Sequence, residues 1–253
     1  WRILRRMTYP WAQLHLVQTK ATGAWLAQHL SARPQLCLAN PVAWPLPRFA
    51  PDPDPAAWLA SRAVCSEHPV LLAVGTKAHQ KGFDRLVAMF ALLMQRHPTL
   101  QLVILGMDAV PYHGVDQQAQ LRQLLPLASK RLHFPGRVGN VQDWYERADL
   151  FLLPSRYEGF PNVLLEAMAS GCCCVSSDCP QGPSELIRDG LNGRLLPNDA
   201  NPETWAEAVS TLLADPAQRQ RLADQARAVR QRFSEERLRR CFMSGVSQLV
   251  GDG

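Results

Sequence analysis

The sequence predicts an α/β fold, a doubly wound parallel sheet with helices on both faces and more helices at its C-terminal end. Three observations carry this expectation. Short apolar runs alternate with amphipathic stretches from about residue 68 to about residue 200. The runs Val70–Val74, Leu100–Leu105 and Leu150–Leu153 are apolar almost throughout, as strands buried on both faces must be. Gly75, Gly106, Gly136 and Pro154 punctuate the ends of four such runs. Strands separated by helices pair in parallel through right-handed crossovers, which stacks helices on both faces.

The elements follow in order. His15–Gln18 and Leu36–Leu38 read as short strands on either side of a helix over 21–30. Six prolines between Pro41 and Pro55 then predict a stiff extended linker and no regular element. Val70–Val74 opens the main sheet. A helix over 83–96 comes next, because Leu86, Val87, Phe90, Leu93 and Met94 share one face at helical spacing. Leu100–Leu105 is a strand, 116–128 a helix, Leu132–Phe134 a short strand and Trp144–Arg147 a short helix. Leu150–Leu153, a helix over 163–170, a strand over Cys172–Ser176 and a short strand over Gly193–Leu196 complete the sheet. Helices at about 202–214, 216–232 and 234–249 end the chain. The expected domains are 1–47, the tail of a preceding domain; 48–67, the proline-rich linker; 68–233, the sheet domain; and 234–253, a helix crossing back.

Composition narrows the function. The 253 residues are 47% apolar, enough for a sizeable core and too many for a disordered tail. No apolar run approaches the roughly 18 residues of a membrane-spanning helix. Trp1–Arg6 lacks the apolar stretch of a signal peptide, and the chain opens without methionine, so it reads as a piece of a longer protein. Lysine and arginine total 27 against 22 acids, a net charge of +5. Eight arginines crowd Arg219–Arg240 against Asp224, Glu235 and Glu236. They read first as a solvated helix face and next as a surface for an anionic membrane. Nucleic acid comes last, since no aromatics interleave to stack bases. The seven cysteines include no C-x-x-C pair, and Cys172, Cys173 and Cys174 on a strand point to alternate faces. They cannot converge on one metal, so reduced thiols are expected.

Ligands of open parallel sheets bind beyond the carboxyl ends of the strands. The loop Gly75–Gly82 holds Lys77 and Lys81, two of the chain's four lysines, and reads as a phosphate clamp or a solvated loop. The loop Pro154–Glu166 ends in Asn162, a good N-cap for the helix that follows. The amides and dipole of that helix favour an anion such as a diphosphate. Glu158 and Glu166 flank it, and acids so near a phosphate make sense as acceptors for sugar hydroxyls. The turn Asp178–Glu185 is stiffened by Pro180 and Pro183. His79 reads as a donor contact or a solvated loop residue, and Arg156 as a contact to donor or acceptor, an exposed arginine or a salt bridge; His113 and His133 read as packing or surface residues.

Glu158-Gly159-Phe160-Pro161-Asn162-Val163 with Glu166 resembles the E-x7-E signature of the family-four retaining glycosyltransferases of GT-B fold. Gly75, Lys81 and Gly82 resemble that family's phosphate loop, and Gly106 with Asp108 its next strand end. The turn Asp178–Glu185 resembles members that build bacterial polysaccharides and lipopolysaccharides. The resemblance covers about residues 8–248 and implies a Rossmann-like donor-binding domain. It implies transfer of a hexose or N-acetylhexosamine from a UDP-linked donor to a saccharide or lipid-linked acceptor, with retention, without metal and with no cofactor. Lys81 and Glu158 are the implied catalytic residues. Lys81 would contact the diphosphate and Glu158 would lie by the transferred sugar. Gly75, Thr76, Lys77, Arg137, Val138, Gly159, Phe160, Pro161, Asn162, Val163, Leu164 and Glu166 complete the implied donor site. The amides from Phe160 to Leu164 would hold the diphosphate, Glu166 the ribose, and Gly136–Val138 the edge of the base. The family usually has arginine where this chain has Thr76; Lys77 is the nearest cation. The resemblance also implies work at the cytoplasmic face of the membrane, a missing acceptor-side domain, and donor binding with poor transfer by this chain.

Other readings remain. A UDP-sugar 2-epimerase of GT-B fold would need further carboxylates and histidines from both domains. A basic binding module would show salt-dependent nucleic-acid binding. Dehydrogenase and P-loop chemistry are disfavoured, because neither G-x-G-x-x-G nor G-x-x-x-x-G-K-[ST] occurs.

Overall fold

A computed structural model describes residues 2–30, 33–108, 114–125 and 129–251. Six parallel strands form the main sheet: β3 (Val70–Val74), β4 (Gln101–Leu105), β5 (Leu132–Gly136), β6 (Leu150–Leu153), β7 (Cys174–Asp178) and β8 (Arg194–Pro197). Their order is β5-β4-β3-β6-β7-β8. The chain winds outward from β3 to β5, returns to the centre at β6 and winds out the other way. The reversal between β3 and β6 opens a crevice at their carboxyl ends, where such sheets bind ligands. β1 (His15–Val17) and β2 (Gln35–Cys37) form a separate parallel pair.

Period-two alternation sorts the strand side chains into two cores. Leu71, Ala73, Leu102 and Ile104 pack with helices α5 (Phe83–Arg96) and α10 (Pro202–Ala214). Val70, Leu72, Val103 and Leu105 face the other way, against α7 (Val141–Arg147) and α8 (Asn162–Ser170). The remaining helices are α1 (Arg2–Thr8), α2 (Lys20–His29), α3 (Pro55–Ala60), α4 (Ala78–Lys81), α6 (Gln117–Gln123), α9 (Pro183–Leu186), α11 (Pro216–Ala226), α12 (Val229–Arg232) and α13 (Glu235–Gly251). No helix among the described residues is long and apolar enough to cross a membrane.

Several expectations need correction. Residues 48–67 are not wholly an extended linker, because α3 lies within them. Asp54 caps that helix through its Oδ1, which accepts the Ala57 amide at 2.7 Å, and Pro55 occupies a first-turn position that needs no N–H. The surrounding segment is a strap bonded to the sheet domain. The Val42 amide donates to the Phe233 carbonyl, and the Phe49 amide to the Gly139 carbonyl, both at 2.9 Å. Val42, Leu46, Leu59 and Val64 are buried in the second core.

The strand expected from Cys172 begins at Cys174. Gly171, at φ +76°, ends α8, and the Cys172 amide bends back to the Ala167 carbonyl at 3.0 Å. That closing turn takes Cys172 away from the ladder. The helix expected over 216–232 is two helices, α11 and α12. Of the helix expected over 116–128, Gln117–Gln123 is helical; 126–128 and His113 lie outside the described residues.

The arginine-rich stretch is only partly a solvated face. Arg219 donates to the Leu212 and Leu213 carbonyls at the end of α10. Arg230 donates to the Ala169 carbonyl and stacks 3.6 Å above the Trp44 ring. Arg232 donates to the Glu185 carbonyl at 2.6 Å. Cations suit these sites because helix C-termini expose unpaired carbonyls.

Candidate functional site

Two loops meet at the crevice. After β3 the chain runs through Gly75, makes the single turn α4, and reverses at Gly82 (φ +67°) into α5. A Cβ on Gly82 would lie 2.0 Å from the Pro154 carbonyl oxygen. Only glycine permits both the left-handed backbone and that approach to the loop after β6. A Cβ on Gly75 would lie 2.7 Å from the Lys81 side chain, so the Lys81 stem rests on the Gly75 backbone.

The two loops are joined by charge. Lys81 Nζ lies 2.8 Å from Glu158 Oε1, with 14% and 6% of the side chains exposed. Glu158 Oε1 also accepts the Ser155 hydroxyl at 2.7 Å. Ser155 is fully buried, and its carbonyl accepts the Ser177 hydroxyl from β7 at 2.6 Å. Arg156 fixes the same junction from its other side. Its guanidinium grips both oxygens of Asp84 at 2.7 and 2.6 Å and donates to the His79 carbonyl. Its amide donates to the Gln80 carbonyl. The Arg156 bonds hold the Asp84 carboxyl below the usual range for aspartate. The salt-bridge alternative for Arg156 is therefore the one the structure shows.

Glu166 lies on α8 with most of its side chain covered. Burial pushes its carboxyl above the usual range; the Tyr145 hydroxyl and the Lys81 charge pull the other way. Tyr145 Oη lies 3.3 Å from Glu166 Oε2 and 3.1 Å from the Val163 carbonyl.

Asn162 does not cap α8. The cap position belongs to Pro161, and Asn162 is already helical, so its side chain cannot reach back to the next amides. Its Oδ1 instead accepts Asn40 Nδ2 at 2.8 Å, while Asn40 Oδ1 accepts Gln18 Nε2 at 2.7 Å. The amides of Asn162 and Leu164 donate to the Phe160 and Pro161 carbonyls. Phe160 is buried 6.0 Å from the Phe233 ring, Leu164 is fully buried and Pro161 packs against Gly182. Their side chains belong to the core. Gly159 and Asn162 are exposed, and Val163 is partly buried.

The outer site residues are dispersed. Thr76 and Lys77 are exposed, and the Thr76 carbonyl accepts Gln117 Nε2. Arg137, after β5, pairs with Asp108 at 2.9 Å. Val138 packs against the second core. His133 is a packing residue, buried and bonded to Gln101 Oε1 at 2.9 Å. Among the described residues no three His, Cys, Asp or Glu side chains could hold a metal ion.

The structure therefore joins Gly75, Lys81 and Glu158, sets Glu166 within reach of the Lys81 charge, and leaves Thr76 and Lys77 exposed and Arg137 paired with Asp108. Sequence reasoning missed Ser155, Asp84 and Tyr145. Ser155 had a signal in its place at a strand end. Tyr145 had none, because its ring is an ordinary core residue of α7.

The chain matches the family model "Glycosyl transferases group 1" over residues 58–229. It is 31% identical over 179 residues to the lipopolysaccharide core biosynthesis mannosyltransferase LpcC of Rhizobium leguminosarum bv. viciae, covering 70% of this chain and 50% of that protein. An uncharacterized glycosyltransferase of Haemophilus influenzae is 27% identical over 174 residues, 68% of this chain and 47% of its own length. The chain thus spans about half the length of these curated relatives. Among solved structures, Anabaena HepE in complex with UDP and glucose superposes with TM-score 0.81 at 22% identity, covering 98% of this chain and 66% of that one. Sucrose-phosphate synthase from Thermosynechococcus elongatus gives 0.76 at 21% identity, covering 100% and 62%. These neighbours share the GT-B fold. With its sheet, its crevice and the family match extending over most of both, the chain belongs to the group 1 glycosyl transferases.

Proposed function

We propose that this chain forms the donor half of a retaining, metal-independent glycosyltransferase that takes a hexose or N-acetylhexosamine from a UDP-sugar. One observation carries the reading: the largely buried Lys81–Glu158 pair, with Glu166 near enough to feel the Lys81 charge, sits beyond the carboxyl ends of β3 and β6. That is where a doubly wound sheet receives a nucleotide. The LpcC likeness and the UDP of the HepE complex support the sugar-transfer reading and the choice of base.

Breaking the bond between sugar and diphosphate leaves charge on the departing group, so the protein's task is to meet that charge. Lys81 has three donors and gives one to Glu158, leaving two for phosphate oxygens. The amides at Phe160 and Val163, at the start of α8, are the natural supplement. Lys77 stands at the rim as a second cation. Glu158 is the carboxylate nearest the transferred sugar, and Glu166 accepts from the ribose hydroxyls. Gly136–Val138 lies by the base. No cofactor enters this scheme; the nucleotide sugar is a substrate. The acceptor is a saccharide or lipid-linked sugar, met at the cytoplasmic face of the membrane through peripheral contact.

Calorimetric titration with UDP, GDP and ADP tests the reading. Selective UDP binding that weakens in Lys81→Ala and Glu166→Ala supports it. A folded chain that binds none of the three, or binds all equally, overturns it.

A further inference from the structure

Tyr145 is fully buried in α7. Its ring is held edge-on by Phe151 at 5.5 Å between centroids. Its hydroxyl reaches two acceptors, Glu166 Oε2 at 3.3 Å and the Val163 carbonyl at 3.1 Å. A phenol has one proton, so the two acceptors share it. Both lie on α8, one turn apart, and the hydroxyl ties the Glu166 side chain to the backbone of its own helix. This arrangement fixes one carboxylate oxygen and leaves the other to a ligand. A glutamate has three rotatable side-chain bonds, and a partner that holds one oxygen removes much of that freedom before the ligand arrives.

From this geometry we infer that Tyr145 is a positioning residue for nucleotide recognition: it aims the Glu166 carboxylate at the ribose hydroxyls and thereby sets the selectivity for a ribose. The inference rests on the donor-site reading above. Tyr145 itself does not touch the nucleotide. The remote electrostatics agree. Burial holds the Tyr145 phenol well above its ordinary range, so it stays a donor at every working pH. Its bond opposes the upward push that burial gives Glu166.

The test compares UDP with 2′,3′-dideoxy-UDP by calorimetry, in the wild type, Tyr145→Phe and Glu166→Gln. The wild type should prefer UDP by at least tenfold, since each lost hydrogen bond to a charged group weakens binding by roughly that factor. Tyr145→Phe keeps the ring packing and should lower this preference severalfold, mainly by weakening UDP. The pH below which UDP affinity falls should also move upward, because Glu166 loses a bond that favours its charged form. A loss of packing alone would weaken both nucleotides equally and leave the preference intact.

If Tyr145→Phe keeps the wild-type preference and pH profile while Glu166→Gln loses them, the Tyr145 inference is wrong and the donor site stands. A wild type with no preference overturns both. Should Tyr145→Phe not fold, carbon-13 at the oxygen-bearing ring carbon of tyrosine gives the answer in the native chain. Its Tyr145 resonance, assigned with Tyr9→Phe, Tyr112→Phe and Tyr157→Phe, should shift with UDP and not with the dideoxy analogue. Equal shifts with both overturn the inference.

Discussion

Lys81 and Glu158 carry opposite charges into a place where neither is cheap alone. With 14% and 6% of their side chains exposed, each depends on the other. Lys81→Ala should therefore weaken UDP binding and also destabilise the fold, by about 3 kcal/mol, through the stranded Glu158 carboxylate. Lys81→Met combined with Glu158→Gln should recover most of that stability without recovering UDP binding. Thermal denaturation and calorimetry on the same samples separate the two effects; a double variant no more stable than Lys81→Ala would contradict the account.

His133 makes a pH prediction. Burial is the largest cause that pushes its imidazole from an ordinary 6.5 down to about 4, so it is neutral in the fold. Between those values the unfolded chain binds the proton and the folded chain does not, so stability falls as pH drops through this window. The difference in melting temperature between pH 7 and pH 5 should shrink in His133→Gln. At this scale the sequence was legible where charge and position coincide: Lys81 and Glu158 stand in the segments that follow β3 and β6, and the fold brings them together. Tyr145 was not, because a buried hydroxyl that serves a neighbouring carboxylate looks in sequence like any core residue; Ser155 had only its place at a strand end to mark it. Asn162 misled for a different reason. Its type suits a cap, but the cap lies one residue earlier, and only the backbone decides that.

The elements of the sheet were read well because strands buried on both faces leave an unbroken apolar run, and α5 matches its periodicity from end to end. The strap was misread because proline density masks a proline at the first turn of a helix, where it is favourable. Gly139 shows how closely the strap is seated. A Cβ there would lie 1.7 Å from the Phe49 carbonyl oxygen, and the Phe49 amide donates to the Gly139 carbonyl. Gly139→Ala should therefore displace the strap and lower stability by about 2–4 kcal/mol, the range of a severe backbone clash. A neutral Gly139→Ala in chemical denaturation would show that the strap is dispensable. The start of the strand after Cys172 was equally hidden, since Cys172 closes α8 through a backbone bond that no side-chain pattern announces.

On the scale of the molecule, the strap makes residues 42–64 part of the same core as β3, β6 and α8. Removing everything before residue 68 would strip Trp144 of the Trp58 ring packed against it and take Val42, Leu46, Leu59 and Val64 out of the second core. Such a truncated chain should melt well below the full chain, or fail to fold; a freely hinged linker would make the truncation harmless. The C-terminal arginines contribute to the same closure by fastening α10, α8 and the α9 turn through carbonyl bonds. Their role was not legible from charge, which is why a solvated face was the natural expectation.

The closure also has an optical consequence. Trp58 of α3 and Trp144 of α7 meet with centroids 5.7 Å apart and planes at 70°. Two indoles so close and so inclined couple their transitions, which should give a paired positive and negative band in the far-ultraviolet circular dichroism. Trp58→Phe should erase that couplet without touching the helical signal. Its disappearance on heating or in denaturant would time the departure of the strap separately from the melting of the sheet beneath it.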